Sequence, residues 1–213
     1  MAAISLVDGR KAVILKAAAH VFRKKGYHAT RIQDIADAVG MQKGSLYYYI
    51  SSKEDLLRGL VEGRLQDMIC AAEAILGTRH SASRKLERIV EMHLRHFQEH
   101  RDIFGIFLHE DMELLNRSSE TDIRALARRY DDLIESTLTE GVETGEFAAD
   151  TDKRIVIKAI VGMCNGTYTW FQSNGRYPIE EIARIFAHLI VDGIRRTSDR
   201  PPEVPGHKPP PAP

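Results

Sequence analysis

The chain has 213 residues, of which 43% are hydrophobic and 28% are charged, and this predicts an ordinary soluble globular protein with a sizeable core. No stretch approaches the ~20 apolar residues of a membrane-spanning helix, and the N-terminus lacks the apolar core of a secretory signal, so we expect a cytoplasmic protein. The two cysteines, Cys70 and Cys164, lie far apart and outside any CxxC pair, which excludes a disulfide framework or a cysteine zinc site.

The net charge is zero, but the charge is unevenly distributed along the chain. Residues 1–60 hold ten Lys and Arg against five Asp and Glu, whereas the remainder holds twenty against twenty-five. A basic N-terminal part followed by an acidic remainder is expected of a protein in which only the N-terminal part contacts phosphate groups. The distribution therefore favours a nucleic-acid contact in the first sixty residues.

Apolar residues recur at helical spacing through nearly all of residues 10–196, so we predict an all-α protein. The first helix is expected from about Arg10 to Lys25, after a flexible arm over residues 1–9. Gly26 ends this helix, as a residue in the left-handed conformation commonly does.

Three further helices are predicted from the residues that would begin and end them. Thr30 and Gln33 have the spacing of a capping box that would open the second helix, and Gly40 stops it after two turns. A third short helix is expected from about Gln42 to Tyr49, and Ser51 or Ser52 would cap the fourth. These elements make a head over residues 10–55.

The body, residues 56–197, is predicted to consist of longer helices that end at glycine, asparagine or serine. After the fourth helix they are expected at 82–99, 101–115, 119–141, 151–173 and 179–196, which gives about nine in all. Seven of the eight prolines lie between residues 201 and 213, so the tail over 198–213 is predicted to be disordered.

The third helix of the head carries the strongest functional signal. Two short helices joined by a glycine turn and braced by a preceding helix are typical of a helix-turn-helix module. Leu46 and Ile50 lie four apart and can anchor the third helix, which leaves Tyr47 and Tyr48 largely outward. Adjacent exposed tyrosines are costly unless another surface covers them, and DNA would do so. The residues alone do not decide whether Tyr49 contacts DNA or makes a core or dimer contact.

The stretch from Ile14 to Leu57 resembles the DNA-binding domain of the tetracycline-repressor (TetR) family. The matching positions are Phe22, Gly26-Tyr27, Thr30, Asp34 to Ala36, Gly40, Lys43 to Tyr48, Ser52 to Glu54 and Leu56-Leu57. The resemblance implies an all-helical homodimer whose C-terminal body binds a small ligand, acting as a transcriptional regulator rather than an enzyme and needing no cofactor or metal. The family more often has an aromatic residue at position 50 and His or Asn at position 49.

The resemblance also implies which residues meet DNA. Thr30 and Arg31 would contact phosphate at the N-terminus of the second helix, where the helix dipole adds to the attraction. The third helix would lie in the major groove, and Lys53 would hold phosphate from the start of the fourth helix. The candidate DNA-binding residues are Thr30, Arg31, Gln42, Lys43, Gly44, Ser45, Tyr47, Tyr48 and Lys53.

A single module of this kind contacts too little DNA for useful specificity, so a second copy is expected to read the other half of a palindromic operator. The helices predicted at 151–173 and 179–196 are the candidate homodimer interface, because the first is apolar on more than one face and needs two partners. Gly162 and Gly166, four apart, would permit close helix approach.

An effector pocket is expected within the body, lined by aromatic and flexible residues that suit a small hydrophobic ligand. The candidate lining residues are Met92, Phe97, Phe104, Phe107, Leu108, Met112, Tyr130, Asn165, Tyr168 and Trp170. Residues 162–194 resemble the C-terminal stretch of TetR-type regulators of fatty-acid and sterol catabolism, and this resemblance implies an acyl-CoA thioester as effector. Gly166 and Tyr177 depart from that pattern, where Trp and Ser are frequent.

Two other classes of protein remain open from the residues alone. His93, His96 and His100 fall on roughly one helix face and would hold a metal in a helical-bundle enzyme, although the pattern lacks an HExxH or Glu-x-x-His pair. An architectural DNA-binding protein without an effector is the second alternative, against which the large aromatic body argues.

Overall fold

The computed structural model describes residues 2–101, 103–105 and 123–195, with side chains from residue 9 onward. Eight helices are described within these ranges, and residues 101 and 103–105, after the fifth, are also helical. They are α1 (Ala2–Lys25), α2 (Ile32–Ala38), α3 (Lys43–Leu46), α4 (Lys53–Leu76), α5 (Ala82–Glu99), α6 (Ile123–Glu143), α7 (Lys153–Trp170) and α8 (Ile179–Ile194). Most of the helix expected at 101–115, the start of the one expected at 119–141, and the proline-rich tail lie outside the described residues.

The prediction of an all-α fold is confirmed over the described ranges, where the single extended pairing is a bridge between Phe147 and Arg195. No helix in these ranges is both long and apolar enough to cross a membrane. Within the head, a flexible arm was expected over residues 1–9, and residues 2–9 are helical and continue α1. The segment holds no proline, and Gly9 alone weakens its helix propensity by only about 1 kcal/mol.

The second helix begins differently from the expected capping box. The hydroxyl of Thr30 donates to the Gly26 carbonyl over 2.7 Å, so this residue closes the end of α1 instead of capping α2. Arg31 is the N-cap residue, and its backbone N–H donates to the Asp34 carboxylate over 2.8 Å. The hydrogen bond from Lys25 and that backbone N–H together hold the pKa of Asp34 below its ordinary value. The side chain that accepts from the N-cap backbone N–H is thus the carboxylate of Asp34, and not the amide of Gln33 that the expected capping box would use.

Two hydrophobic clusters organise the chain, and α4 belongs to both. The head cluster gathers α1, α2 and α3 around the first half of α4, from Leu56 to Leu65. The body cluster joins the second half, from Met68 to Ile75, to α5, α6, α7 and α8. Ile103 and Ile123 come from the body part of the sequence but pack in the head cluster. The head is therefore fastened to the body by a continuous helix and by these two side chains.

The turn after α6 depends on a glycine with no room for a side chain. A Cβ on Gly141 would overlap the ring of Phe147, which is 1% exposed and whose backbone N–H donates to the Gly141 carbonyl over 2.9 Å. We expect Gly141→Ala to lower the free energy of unfolding by about 1–3 kcal/mol, because the ring cannot leave the core without opening a void. Urea unfolding followed by circular dichroism measures this change.

The matched control for that prediction is Gly63→Ala in the interior of α4, where an added Cβ meets no atom within 4 Å. This control is expected to be neutral or slightly stabilising through helix propensity. Equal stability of the two variants would contradict the packing argument.

Candidate functional site

The third helix presents a polar and aromatic surface on two buried anchors. Leu46 is 0% exposed and Ile50 is 3% exposed, whereas Tyr47 and Tyr48 are 47% and 78% exposed. The predicted anchoring residues and outward tyrosines are therefore confirmed. Of the other candidates on this element, the exposed ones are Gln42, Lys43, Gly44 and Ser45. The exposed set offers an amide, an ammonium, hydroxyls and aromatic rings, the groups with which proteins contact phosphates and base edges.

The turn that presents this surface is built by the backbone. Gly40 has φ +65°, which is the left-handed region that favours glycine, and the N–H of Met41 returns to the Ala36 carbonyl over 2.9 Å. The α-helix itself covers Lys43 to Leu46, and Tyr47 to Tyr49 follow as a turn. The expected helix to Tyr49 was thus too long, although the N–H of Ile50 still donates to the Leu46 carbonyl over 3.3 Å.

Tyr49 is half-buried and packs against the head cluster. Its ring meets that of Tyr48 edge to face, with centroids 5.2 Å apart. This position supports Tyr48 from beneath, because aromatic rings at this separation stabilise each other in edge-to-face geometry. The structure therefore favours a core contact for Tyr49.

Two of the predicted DNA-binding residues, Thr30 and Lys53, form hydrogen bonds within the head. Thr30 is 3% exposed, and its hydroxyl is committed to Gly26, so its side chain is not presented at the surface. The ammonium of Lys53 donates to the carbonyls of Tyr27, His28 and Thr30 over 2.9, 3.4 and 3.4 Å. It also lies 4.4 Å from the centroid of the Tyr27 ring. Lys53 thereby ties α4 to the segment before α2, while Arg31 remains exposed.

In the body, a buried polar triad joins three helices. His93 of α5 is 4% exposed, with its Nδ1 3.1 Å from the hydroxyl of Tyr130 and its Nε2 3.2 Å from Oδ1 of Asn165. Because the amide oxygen only accepts, the imidazole proton lies on Nε2, and the Tyr130 hydroxyl donates to Nδ1. Asn165, on α7, is half-buried and keeps an amide N–H₂ group for another partner.

The triad is uncharged near neutral pH. Burial lowers the pKa of His93 to about 4, and the hydrogen bond with Asn165 opposes this only in part. Burial likewise raises the pKa of Tyr130. The thiol of Cys164, on the same helix as Asn165, has a pKa raised by burial to about 12, so this cysteine is a small buried hydrophobe. Cys70, by contrast, is exposed.

An aromatic cluster includes Phe97, which lies one turn along α5 from His93 of this triad. The rings of Phe97 and Phe104 stack with centroids 5.3 Å apart, and Tyr168 meets Phe97 edge to face at 6.2 Å. Met92 packs against the same body cluster. Of the predicted effector-binding residues, the structure thus brings together Met92, Phe97, Phe104, Tyr130, Asn165 and Tyr168 on neighbouring helices, while Phe107, Leu108 and Met112 lie outside the described residues.

Trp170 was expected to line the effector pocket, but its side chain is 52% exposed and its ring meets that of Phe186 on α8 at 6.4 Å. In the single chain Trp170 therefore lies on the outer face of α7, and its place in the lining of an effector pocket stays a prediction. Sequence reasoning missed the role of His93 in the buried triad, and nothing in the spacing of residues 93, 130 and 165 indicates that they meet.

His93, His96 and His100, expected to share one helix face, do not converge on one point. His93 faces Tyr130 and Asn165, whereas Nε2 of His100 lies 3.0 Å from the guanidinium of Arg64. In the described part of the chain, no group of three metal-ligating side chains is arranged to hold an ion. The metal-enzyme alternative therefore has no geometric support here.

Comparisons with known proteins match both parts of the chain to one family. The family described as "Bacterial regulatory proteins, tetR family" matches residues 14–60, and "Tetracyclin repressor-like, C-terminal domain" matches residues 79–194. The HTH-type transcriptional repressor KstR2 of Rhodococcus jostii (strain RHA1) is 25% identical over 187 residues, covering 88% of this chain and 92% of its own.

Two solved structures resemble the whole fold. The TetR family transcriptional regulator PfmR from Thermus thermophilus has a TM-score of 0.74 and 33% identity, covering 86% of this chain and 99% of that one. The transcriptional regulator FadR from Bacillus subtilis, solved in complex with stearoyl-CoA, has a TM-score of 0.70 and 25% identity over 85% of this chain and 98% of its own.

Proposed function

The chain belongs to the TetR family of bacterial regulatory proteins, and from this premise we propose that it is a repressor released from a two-fold operator by an acyl-coenzyme A. The observation that carries the DNA-binding part is the pair of exposed tyrosines, Tyr47 and Tyr48, held outward by buried Leu46 and Ile50. The DNA-contacting set is this surface with Gln42, Lys43, Gly44 and Ser45, together with Arg31 before it.

We assign Thr30 and Lys53 a supporting role in the same interface. Lys53 donates hydrogen bonds to three carbonyls of the segment that leads into α2, and Thr30 closes the end of α1. Both side chains fix where Arg31 and the N-terminus of α2 stand relative to α3. Phosphate contacts at this point then come from backbone N–H groups and Arg31.

A homodimer is proposed through the outer faces of α7 and α8. On α7, the exposed Ile155 and Ala159 are followed at helical spacing by Gly162 and Gly166, where added Cβ atoms would meet nothing within 4 Å. On α8, Ile185 and Leu189 are 44% and 62% exposed. An apolar face of this kind, with small residues that allow close approach, is what an isologous helix-on-helix interface requires.

The effector is proposed to occupy the body among Met92, Phe97, Phe104 and Tyr168. These apolar side chains suit an acyl chain, and the amide of Asn165 is placed to donate to a polar group such as a thioester carbonyl. The FadR of Bacillus subtilis, which binds stearoyl-CoA in its solved complex, supports this class of ligand. Tyr130 contributes through its hydrogen bond with His93.

Two adjacent residues that pack in different hydrophobic clusters would couple effector binding to DNA binding. Phe104 packs in the body cluster, and its neighbour Ile103 packs in the head cluster. A ligand that displaces the Phe104 ring would therefore shift Ile103 against α1 and α4. Release of DNA follows if the ligand binds the shifted arrangement more tightly. In this proposal residues 10–55 read DNA and residues 56–197 bind the effector and dimerise, with α4 common to both.

The DNA-reading surface is tested by replacing Tyr48. An operator is first selected from random DNA duplexes, and affinity is then measured by fluorescence anisotropy. Tyr48→Ala is expected to weaken operator binding by about 1–3 kcal/mol, roughly 5- to 150-fold. The free energy of unfolding should fall by no more than the ~1 kcal/mol of the edge-to-face contact with Tyr49, because the side chain is otherwise exposed. The control is Tyr177→Ala, which removes another exposed tyrosine, 45% accessible, from the turn before α8. Equal operator affinities for the two variants would contradict the assignment.

A further inference from the structure

Three charged side chains near the start of α4 form an ion network inside the head. Asp55 and Arg58 are only 9% and 8% exposed, and the Arg58 guanidinium contacts the Asp55 carboxylate directly. One turn further on, Nε of Arg58 lies 3.4 Å from Oε1 of Glu62. We call Asp55, Arg58 and Glu62 the α4 ion network.

The burial of the Asp55–Arg58 pair is not explained by stability alone. Removing a carboxylate and a guanidinium from water is costly, and an apolar pair of similar volume is often as stable. The same stretch of α4, from Leu56 to Leu65, packs in the apolar head cluster, so hydrophobic side chains would suit these positions. A buried ion pair does hold its two groups in one arrangement, because any other leaves a charge unpaired.

The Asp55 carboxylate holds the backbone that follows α3. Its Oδ2 accepts from the N–H of Ser51 over 2.9 Å, while its Oδ1 contacts Arg58. Ser51 directly follows Ile50, one of the two buried anchors of the exposed tyrosines. A change in the position of the Asp55 carboxylate would therefore be transmitted to this anchor through a single peptide unit.

The backbone of the tyrosine turn is weakly held by its own hydrogen bonds. The α-helix covers only Lys43–Leu46, and the N–H groups of Tyr47 and Tyr48 lie 3.4 and 3.3 Å from their acceptors, the carbonyls of Lys43 and Ser45. Ordinary N–H···O bonds span roughly 2.7–3.2 Å. The positions of the two tyrosines consequently depend on the anchors at either end of the turn.

We propose that Asp55 and Arg58 are positioning residues of the DNA-binding surface. They fix Tyr47 and Tyr48 for base-specific contacts through the Ser51 backbone, and they contact no DNA themselves. This inference rests on the proposed DNA-binding function and is independent of the effector. Contacts to base edges require exact placement, whereas flexible cationic side chains reach phosphates from many positions. Loss of the ion pair should therefore lower sequence-specific affinity and spare sequence-independent binding.

The test measures, by fluorescence anisotropy, affinities for the selected operator and for a scrambled duplex of the same length. Asp55→Asn is expected to weaken operator binding about 10-fold and to change binding of the scrambled duplex by less than about 2-fold. Asp67→Asn is the matched control, because it removes the same charge from the same helix, in an exposed pair with Arg64 over 3.1 Å. The control should leave both affinities unchanged.

A double-mutant cycle with Tyr48→Ala separates positioning from a general loss of stability. If Asp55 acts through the tyrosines, Tyr48→Ala should weaken operator binding by no more than about 2-fold in the Asp55→Asn protein, because the ring is already misplaced there. In the Asp67→Asn protein it should cost as much as in the wild type. A purely structural role of Asp55 would instead make the two losses multiply.

A second variant keeps the test available if Asp55→Asn alone is unstable. Asp55→Asn/Arg58→Met removes both buried charges together, so the free energy of unfolding, measured in urea, should return close to the wild-type value. Operator affinity should remain about 10-fold low, because no ion pair then fixes the side chain that holds Ser51.

Each contrary result has a distinct meaning. Wild-type operator affinity in both Asp55 variants, or multiplying losses in the cycle with Tyr48→Ala, would assign the α4 ion network to stability alone. Equal weakening on the operator and on the scrambled duplex would show that it does not act through base contacts. Failure of the wild type to select any operator would overturn the proposed DNA-binding function, and this inference with it.

Discussion

Replacing Leu189 with glutamate is expected to dissociate the dimer and to lower operator affinity at least ~100-fold, which is the largest functional effect of any single change considered. Leu189 is 62% exposed in the single chain, so the substitution adds no strain to the protomer. In a two-fold interface through α7 and α8, however, both copies would bury an unpaired carboxylate, at a cost of several kcal/mol. A lone head then retains little more than sequence-independent binding.

Analytical ultracentrifugation and operator anisotropy on the same samples measure the two parts of this prediction. Ala74→Glu is the control, because it adds the same charge to an exposed position of α4. Leu189→Ala, which only removes apolar area, should weaken the dimer less, and it keeps the test available if the charged variant is unstable. A Leu189→Glu protein that stays dimeric and binds its operator normally would contradict the assignment of the interface.

Replacing His93 with leucine is expected to lower the free energy of unfolding by about 2–4 kcal/mol. The leucine side chain has a similar volume but leaves the buried Tyr130 hydroxyl and the half-buried Asn165 amide oxygen without their partner, and an orphaned buried group costs ~1–3 kcal/mol. Adding Tyr130→Phe to this variant should recover part of the loss, because the orphaned hydroxyl is then absent. Urea unfolding at a fixed protomer concentration measures both effects.

The same histidine makes stability depend on pH in a defined direction. Its pKa is lowered to about 4 in the folded protein, against 6.5 in the unfolded chain, so between these values the unfolded state binds more protons. The contribution of His93 is fully present above pH 6.5 and is lost as the pH falls towards 4, by about 3 kcal/mol in total. The wild type should therefore lose stability over this range faster than His93→Leu. Parallel curves for the two proteins would show that His93 is not buried in neutral form.

Local structure in the head follows directly from the residue types, and so it could be predicted. Gly26 and Gly40 both take positive φ, 82° and 65°, where the sequence placed the ends of the first two helices. Ser52 caps α4 by accepting from the Asp55 N–H over 3.1 Å. The inward spacing of Leu46 and Ile50 likewise determined which way Tyr47 and Tyr48 face.

The features that could not be predicted depend on contacts between distant residues. Lys53 matches a phosphate-binding position, and only the fold shows that the Tyr27 and Thr30 carbonyls occupy its ammonium. Trp170 lies on a helix that is apolar on more than one face, so helical periodicity does not tell its inner face from its outer one. The His93 triad joins residues 37 and 72 positions apart, a separation that no local pattern encodes.

The central claim, that this chain is a repressor released by an acyl-coenzyme A, is tested most directly by titrating lauroyl-CoA into the complex of the protein with its selected operator while anisotropy is followed. We predict saturable loss of the complex at a concentration that matches the dissociation constant of lauroyl-CoA from the DNA-free protein, measured by isothermal titration calorimetry. Free coenzyme A at the same concentration should cause no loss. An operator complex that persists while lauroyl-CoA is bound would contradict the account.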